Sequence, residues 1–130
     1  MKKGLIFVIC FLGFVCTNVF GQTYKYDSVI TLEGVFISAI ADAAITSDEK
    51  PHKYTALKLN KPISVLCKSD DQYCETEDGV MLLQLVLKDA EWSKYKKLKG
   101  KKVKVQGTLF HSDNGNHFTS VLLDVSSITH

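Results

Sequence analysis

From Lys101 to Phe110 apolar and polar positions alternate strictly, with Val103, Val105 and Leu109 on one side and Gly107 near the middle. A period of two is the pattern of a half-buried strand. Ser28 to Ile40 is β-rich, carrying Val29, Ile30, Leu32, Val35, Phe36, Ile37 and Ile40, and Gly34 interrupts it. A glycine there predicts a bulge where one strand bends from one sheet edge to another. Ala41 to Lys53 is small, polar and contains Pro51, so it reads as a loop. Tyr54 to Leu59 alternates, with Thr55, Leu57 and Leu59 on one side. Pro62 breaks that run, and Ile63 to Cys67 adds a short edge segment. Val80 to Leu87 is nearly continuous in apolar residues. Met81, Leu83, Leu85 and Leu87 share one face, and Val80, Leu82 and Val86 the other, which predicts a strand covered on both sides.

The period changes after Asp89. Trp92, Tyr95 and Leu98 recur at three-residue spacing, which predicts a helix over Ala90 to Leu98 with Asp89 as its N-cap and Gly100 as its stop. Asp113-Asn114-Gly115-Asn116 reads as a turn. Phe118 to Ile128 reads as a last strand, with Val121, Leu123 and Val125 on one face. The order strand, strand, strand, helix, strand, strand is that of the OB fold. The expected fold is mainly β, a five-stranded OB-fold-like barrel with one short helix between strands 3 and 4.

The first residues bear on where the chain works. Lys2 and Lys3 precede an apolar run from Leu5 to Val15, and Val19-Phe20-Gly21 offers a cleavage site. Residues 1–21 read as a secretory signal peptide and 22–130 as a single domain. The run is too short to span the ~30 Å hydrocarbon core comfortably, so no membrane span is expected after cleavage. Cys16 lacks the small preceding residue a lipid anchor requires, because Val15 and Phe14 stand there. The expected location is the periplasm or the medium.

Charge narrows the partners. The chain has 16 Lys+Arg against 14 Asp+Glu, and every basic residue is a lysine. Without Lys2 and Lys3 the two signs balance. A nucleic-acid binder usually shows a basic excess and uses arginine forks, so nucleic acid is not expected as a partner. Cys67 and Cys74 remain after loss of the leader, an even pair suited to an oxidising compartment. Their spacing does not fit a Cys-x-x-Cys redox site, and no further thiol is present for structural zinc. A disulfide is expected, contributing roughly 2–3 kcal/mol.

Three stretches resemble one bacterial family: Tyr54-x-x-Leu57-x-Leu59-x-x-Pro62-Ile63, Leu98-x-Gly100-Lys101-x-Val103-x-Val105-x-Gly107-x-Leu109-Phe110, and Gly115-x-His117-x-Thr119-x-Val121-Leu122-Leu123. The family is that of domain of unknown function 4431, whose members look like small exported domains with no settled activity. Its pattern is denser in histidine before the threonine. Here Asn116 and Phe118 flank His117, which counts against histidine-based chemistry.

Candidate chemistry is sparse. His111 and His117 flank the last turn, with Asp113 between them, a weak pattern for zinc or copper. Asp70, Asp71 and Glu75, with Glu77 and Asp78, form an acidic stretch on or beside the cysteine loop. It lacks EF-hand spacing and suits a solvated loop or a face for a cationic partner. Tyr54, Lys58 and Lys61 fall on the strand that OB folds commonly bind with, and Tyr73 lies in the loop. No nucleophile elbow and no phosphate-binding glycine loop occur, so neither catalysis nor a cofactor is expected. The expectation is a monomeric, non-enzymatic envelope module that binds a protein or small ligand. Its rivals are an inhibitor or immunity-type protein for a basic enzyme, and a metal site at His111 and His117.

Overall fold

The computed structural model describes residues 22–41, 51–68 and 74–130. The proposed leader, the loop 42–50 and the acidic residues Asp70 and Asp71, with Tyr73, lie outside the described residues. The chain is mainly β with one short helix. Its strands are β1 (Thr23–Lys25), β2 (Val29–Ala41), β3 (His52–Leu66), β4 (Glu77–Val86), β5 (Lys102–His111) and β6 (Val121–Thr129). The helix α1 (Asp89–Leu98) lies between β4 and β5.

The sheet runs β1-β3-β2-β5-β6-β4, and β3 also pairs with β4, so five of the strands close into a ring. Most pairs are antiparallel, while β4 and β6 run parallel. β2 serves two neighbours. Its first half, from Val29 to Val35, pairs with β5, and its second half, from Gly34 to Ala41, pairs with β3. Gly34 sits at the handover. A Cβ added there would lie 2.3 Å from the Lys58 carbonyl oxygen, so only glycine lets the two backbones approach. Gly107 repeats the device on β5, where a Cβ would lie 2.4 Å from the Asp124 carbonyl oxygen. There the β5–β6 register shifts by one residue, which lets Val125 and Ile128 both point inward.

The interior follows the alternation. Phe36, Leu57 and Leu83 lie side by side across β2, β3 and β4, and Leu85, Leu123 and Leu109 across β4, β6 and β5. All six are buried in one apolar cluster that also takes Val103, Val105 and Tyr95. Tyr95 carries α1 onto the end of the ring. Its ring packs on Phe36 with centroids 5.1 Å apart, and its hydroxyl donates to the Ile37 carbonyl at 2.6 Å. Gly100 then takes a left-handed φ of 87° and donates its N–H to the Phe36 carbonyl at 2.8 Å.

Several expectations need correction. β3 is one strand that passes through Pro62, because a register shift between Lys58 and Ile63 leaves that stretch outside regular pairing. Lys88, not Asp89, is the N-cap of α1, and it makes no side-chain cap bond. Asp89 and Glu91 instead occupy the first turn, where negative charge meets the positive end of the helix dipole. Phe118 to Ser120 lies outside β6. β4 is not covered on both sides along its length, since Met81 and Val86, which alternation places on opposite faces, are both exposed. β1 was not expected. It adds in parallel to β3, pairing Thr23 with Ser64 and Lys25 with Leu66.

The Gly34 contact is with backbone, which cannot swing aside. Gly34→Ala is expected to lower unfolding stability by more than about 3 kcal/mol. Gly115→Ala, at a position with nothing within 4 Å of the new methyl, should change it by less than about 0.5 kcal/mol. Chemical denaturation of the two variants checks the contrast.

Candidate functional site

On β3, Leu57 and Leu59 point into the core, so Tyr54, Ala56 and Lys58 alternate onto the outer face. Across that face Ala56 pairs with Gln84, Gln84 with Leu122, and Leu122 with Phe110. Ala56 and Leu122 are fully buried although they lie outside the core cluster. Their cover includes the segment after β5, residues 112–120, which folds back over the sheet.

Gln84 holds that strap. Its side-chain N–H donates to the Asn116 carbonyl at 3.1 Å, and its side-chain carbonyl accepts the Phe118 N–H. Its backbone N–H donates to the Thr119 hydroxyl at 3.0 Å, and that hydroxyl donates to the Val121 carbonyl at 2.6 Å. A glutamine inside an apolar strand run is the sequence signal for this fastening, and it went unread.

Phe118 is thereby laid against β3. Its ring stacks with His52 at 5.8 Å and 17°, and tilts against Tyr54 at 5.4 Å and 36°. Burial raises the Tyr54 hydroxyl above its ordinary pKa. Lys58 is exposed four residues further along the same face, and Lys61 is exposed beyond it. Tyr54 therefore joins an aromatic cluster that sequence reasoning saw only in part. His52 and Phe118 were missed, one as loop and one as strand.

The two hairpin histidines have different partners. His117 Nδ1 accepts the Asp113 backbone N–H at 3.0 Å, so its lone pair is used in closing the loop. His111 Nδ1 lies 3.0 Å from the Ser112 carbonyl and must be the donor there, because a carbonyl only accepts. Among the described residues no group of three or more His, Cys, Asp or Glu side chains is arranged for a metal ion.

His111 belongs to a second cluster. Its Nε2 is 3.5 Å from Glu77 Oε2, within ion-pair range when protonated but not hydrogen-bonded, and its ring stands edge-on to Tyr26 at 5.6 Å. Tyr26 is only 6% exposed, and its hydroxyl has no hydrogen-bond partner among the described residues. Burial first, and the Glu77 charge second, push its pKa up to about 12. The cluster adjoins the Cys67–Cys74 disulfide, whose Cα atoms are 5.8 Å apart. Asp27 and Lys68, paired at 2.9 Å, lie next to it in the chain. Glu75 is exposed just past the disulfide. An open cleft of about 390 Å³ at another edge is bordered by Glu33, Asn60, Lys102, Lys104 and His130, where Lys104 pairs with Glu33 at 3.6 Å.

Gln84→Leu keeps the bulk but removes both side-chain bonds to the strap. It is expected to cost about 2 kcal/mol and to broaden the amide signals of Asn116 and Phe118 in NMR spectra. Tyr26 gives a pH signature. A phenol whose folded pKa lies above its unfolded value of 10.0 contributes stability below pH 10, and loses it as pH rises toward 12. Unfolding stability should fall by roughly 2 kcal/mol over that window through this group. Tyr26→Phe should flatten that part of the fall while changing stability at pH 7 by less than about 1 kcal/mol. Denaturant titrations across pH check both statements.

No curated protein matches the chain. Residues 82–129 match the model of a domain of unknown function, DUF4431, from within β4 to the end of β6. That stretch, which carries Gln84, α1, Gly107 and the strap, is similar to the DUF4431 family.

Proposed function

We propose that this chain is an exported, non-enzymatic binding module of the bacterial cell envelope, built as an OB-fold-like domain, that takes its ligand on the outer face of β3 and β4. Support for the OB-fold reading comes from strand order. With β1 set aside, the ring runs first, second, third, fifth, fourth and back to the first, with the helix between third and fourth. OB folds bind with the face of their second and third strands and with the loops before the second strand and between the last two. Support for export comes from the leader pattern and from the paired cysteines.

The observation that carries the binding reading is the Phe118–Tyr54–His52 cluster, held by Gln84 beside the exposed Lys58. Rings fixed in advance lose little entropy when they stack on a ligand ring, and a nearby ammonium adds a polar anchor. A second reading, an inhibitor or immunity-type protein for a basic envelope enzyme, draws on Glu75 and Asp78, both exposed near the disulfide.

NMR titration of the 22–130 domain with soluble cell-wall glycan fragments, and separately with fractionated envelope extract, tests the proposal. The expected outcome is amide shifts concentrated at His52, Tyr54, Lys58, Gln84 and Phe118, lost in Phe118→Ala. Shifts gathered around Glu75 and Asp78 would transfer the function to the acidic side. Titrations that leave the β3–β4 face unmoved would falsify this reading.

A further inference from the structure

Lysine is unevenly distributed. Seven of the 16 lysines fall between residues 94 and 104, with no Asp or Glu among them, leaving nine lysines against all 14 carboxylates elsewhere. All seven are exposed. They come from three consecutive pieces of structure: the outward side of α1, the turn at Gly100, and the outward positions of β5. Tyr95 and Leu98 turn inward, so Lys94 and Lys97 are left on the solvent side. On β5, Val103 and Val105 point inward and leave Lys102 and Lys104 outward. The nearest acids are Asp89 and Glu91 in the first turn of the helix, Glu91 three residues before Lys94, and Glu33, which pairs with Lys104.

One large apolar group stands at the flank of this face, on the Tyr95 side of α1 and beside Lys96. Trp92 is 42% exposed. Its ring stacks on Tyr95 with centroids 5.5 Å apart and planes within 8°, and Lys96 Nζ lies 5.9 Å from its centroid. Tyr95 already fills the inward position and is fixed by its bond to Ile37. The indole is therefore held out rather than tucked in.

We propose that the α1–β5 face docks on an anionic phospholipid bilayer, with Trp92 at headgroup depth and the lysines of residues 94–102 against lipid phosphates. A tryptophan seats favourably at a membrane interface, and lysine stems extend their ammonium groups toward phosphate. A basic cluster near an anionic leaflet gains affinity lysine by lysine. A nucleic acid strand is a poorer fit. Binding one draws on several stacking rings and on arginine forks, whereas this face has one exposed tryptophan and the chain has no arginine. The inference is independent of the ligand face on β3 and β4, which different residues form.

The chain has a single tryptophan, so its own emission reports docking. The 22–130 domain is mixed with phosphatidylglycerol-containing vesicles and, separately, with pure phosphatidylcholine vesicles, and is followed by co-sedimentation and Trp92 fluorescence. The expected result is sedimentation with a blue shift on the anionic vesicles only, weakening as salt rises. The combined variant Lys94→Gln, Lys97→Gln and Lys99→Gln should reduce partitioning on the order of 10²-fold, about fivefold per lysine, with an unchanged melting temperature. Trp92→Phe, followed by sedimentation alone, should bind less than the parent. Failure to sediment, equal binding to phosphatidylcholine, or undiminished binding by the folded triple variant overturns the proposal. Tighter binding to a single-stranded RNA oligonucleotide than to the vesicles overturns it as well and assigns the face to nucleic acid.

Discussion

The fold depends on one strand serving two partners. β2 must leave β5 and take up β3 within two residues, and Gly34 and Val35 appear in both pairings. The ring closes only if the strand bends there, which brings its backbone against that of Lys58 more closely than a side chain allows. Gly107 solves the matching problem on β5. Two missing methyl groups thus permit the curvature on which the interior, the helix seat and the outer face all rest. The hydrophobic effect supplies the driving force, but steric permission at these points selects the shape.

The outer face is built by a different logic. A ring packed around Phe36, Leu57 and Leu83 has no need of an aromatic cluster outside. Yet Ala56 and Leu122 are covered there, and a glutamine ties the strap with three hydrogen bonds, two from its side chain and one from its backbone. A half-buried amide holds geometry because leaving it unpaired costs free energy. The strap is thus fastened to the sheet at Asn116, Phe118 and Thr119. Its position beside β3 turns a polar hairpin into a shelf of rings. The lysine face has the opposite construction, with charge carried on solvated stems and one indole propped on a buried tyrosine.

Periodicity made most of the long strands and the helix legible, because each shows one face to a single core, while β4 was legible as a short and nearly continuous apolar run. Gly34, Gly100 and Gly107 were legible for the same reason: each interrupts a pattern that otherwise continues. β1 was not, since three residues carry no period and its pairing is set by the far end of β3. Pro62 misled because proline is usually a strand breaker, whereas here it falls where pairing has already slipped. The site was half legible. Tyr54 and Lys58 follow from strand parity. Phe118 and His52 reach them only through the strap, and a contact between residues so far apart in sequence leaves no local trace. His111 and His117 looked paired because they flank one turn, but each imidazole is committed to its own backbone neighbour.

The parallel pairing of β4 with β6 spans only Gln84–Leu122, Leu85–Leu123 and Val86–Asp124, against eight residue pairs between β2 and β3. Its two strands are separated in sequence by the helix and the whole of β5, so no hairpin can bring them together early. This is the ring's last stitch. The Lys88–Asp124 ion pair crosses just beyond it, and Gln84 stands at its near end holding the strap. A fluctuation that parts the stitch therefore also lifts Phe118 from Tyr54. The shelf of rings and the seam of the fold share one hinge, so any local opening of the seam would also unseat the ring cluster.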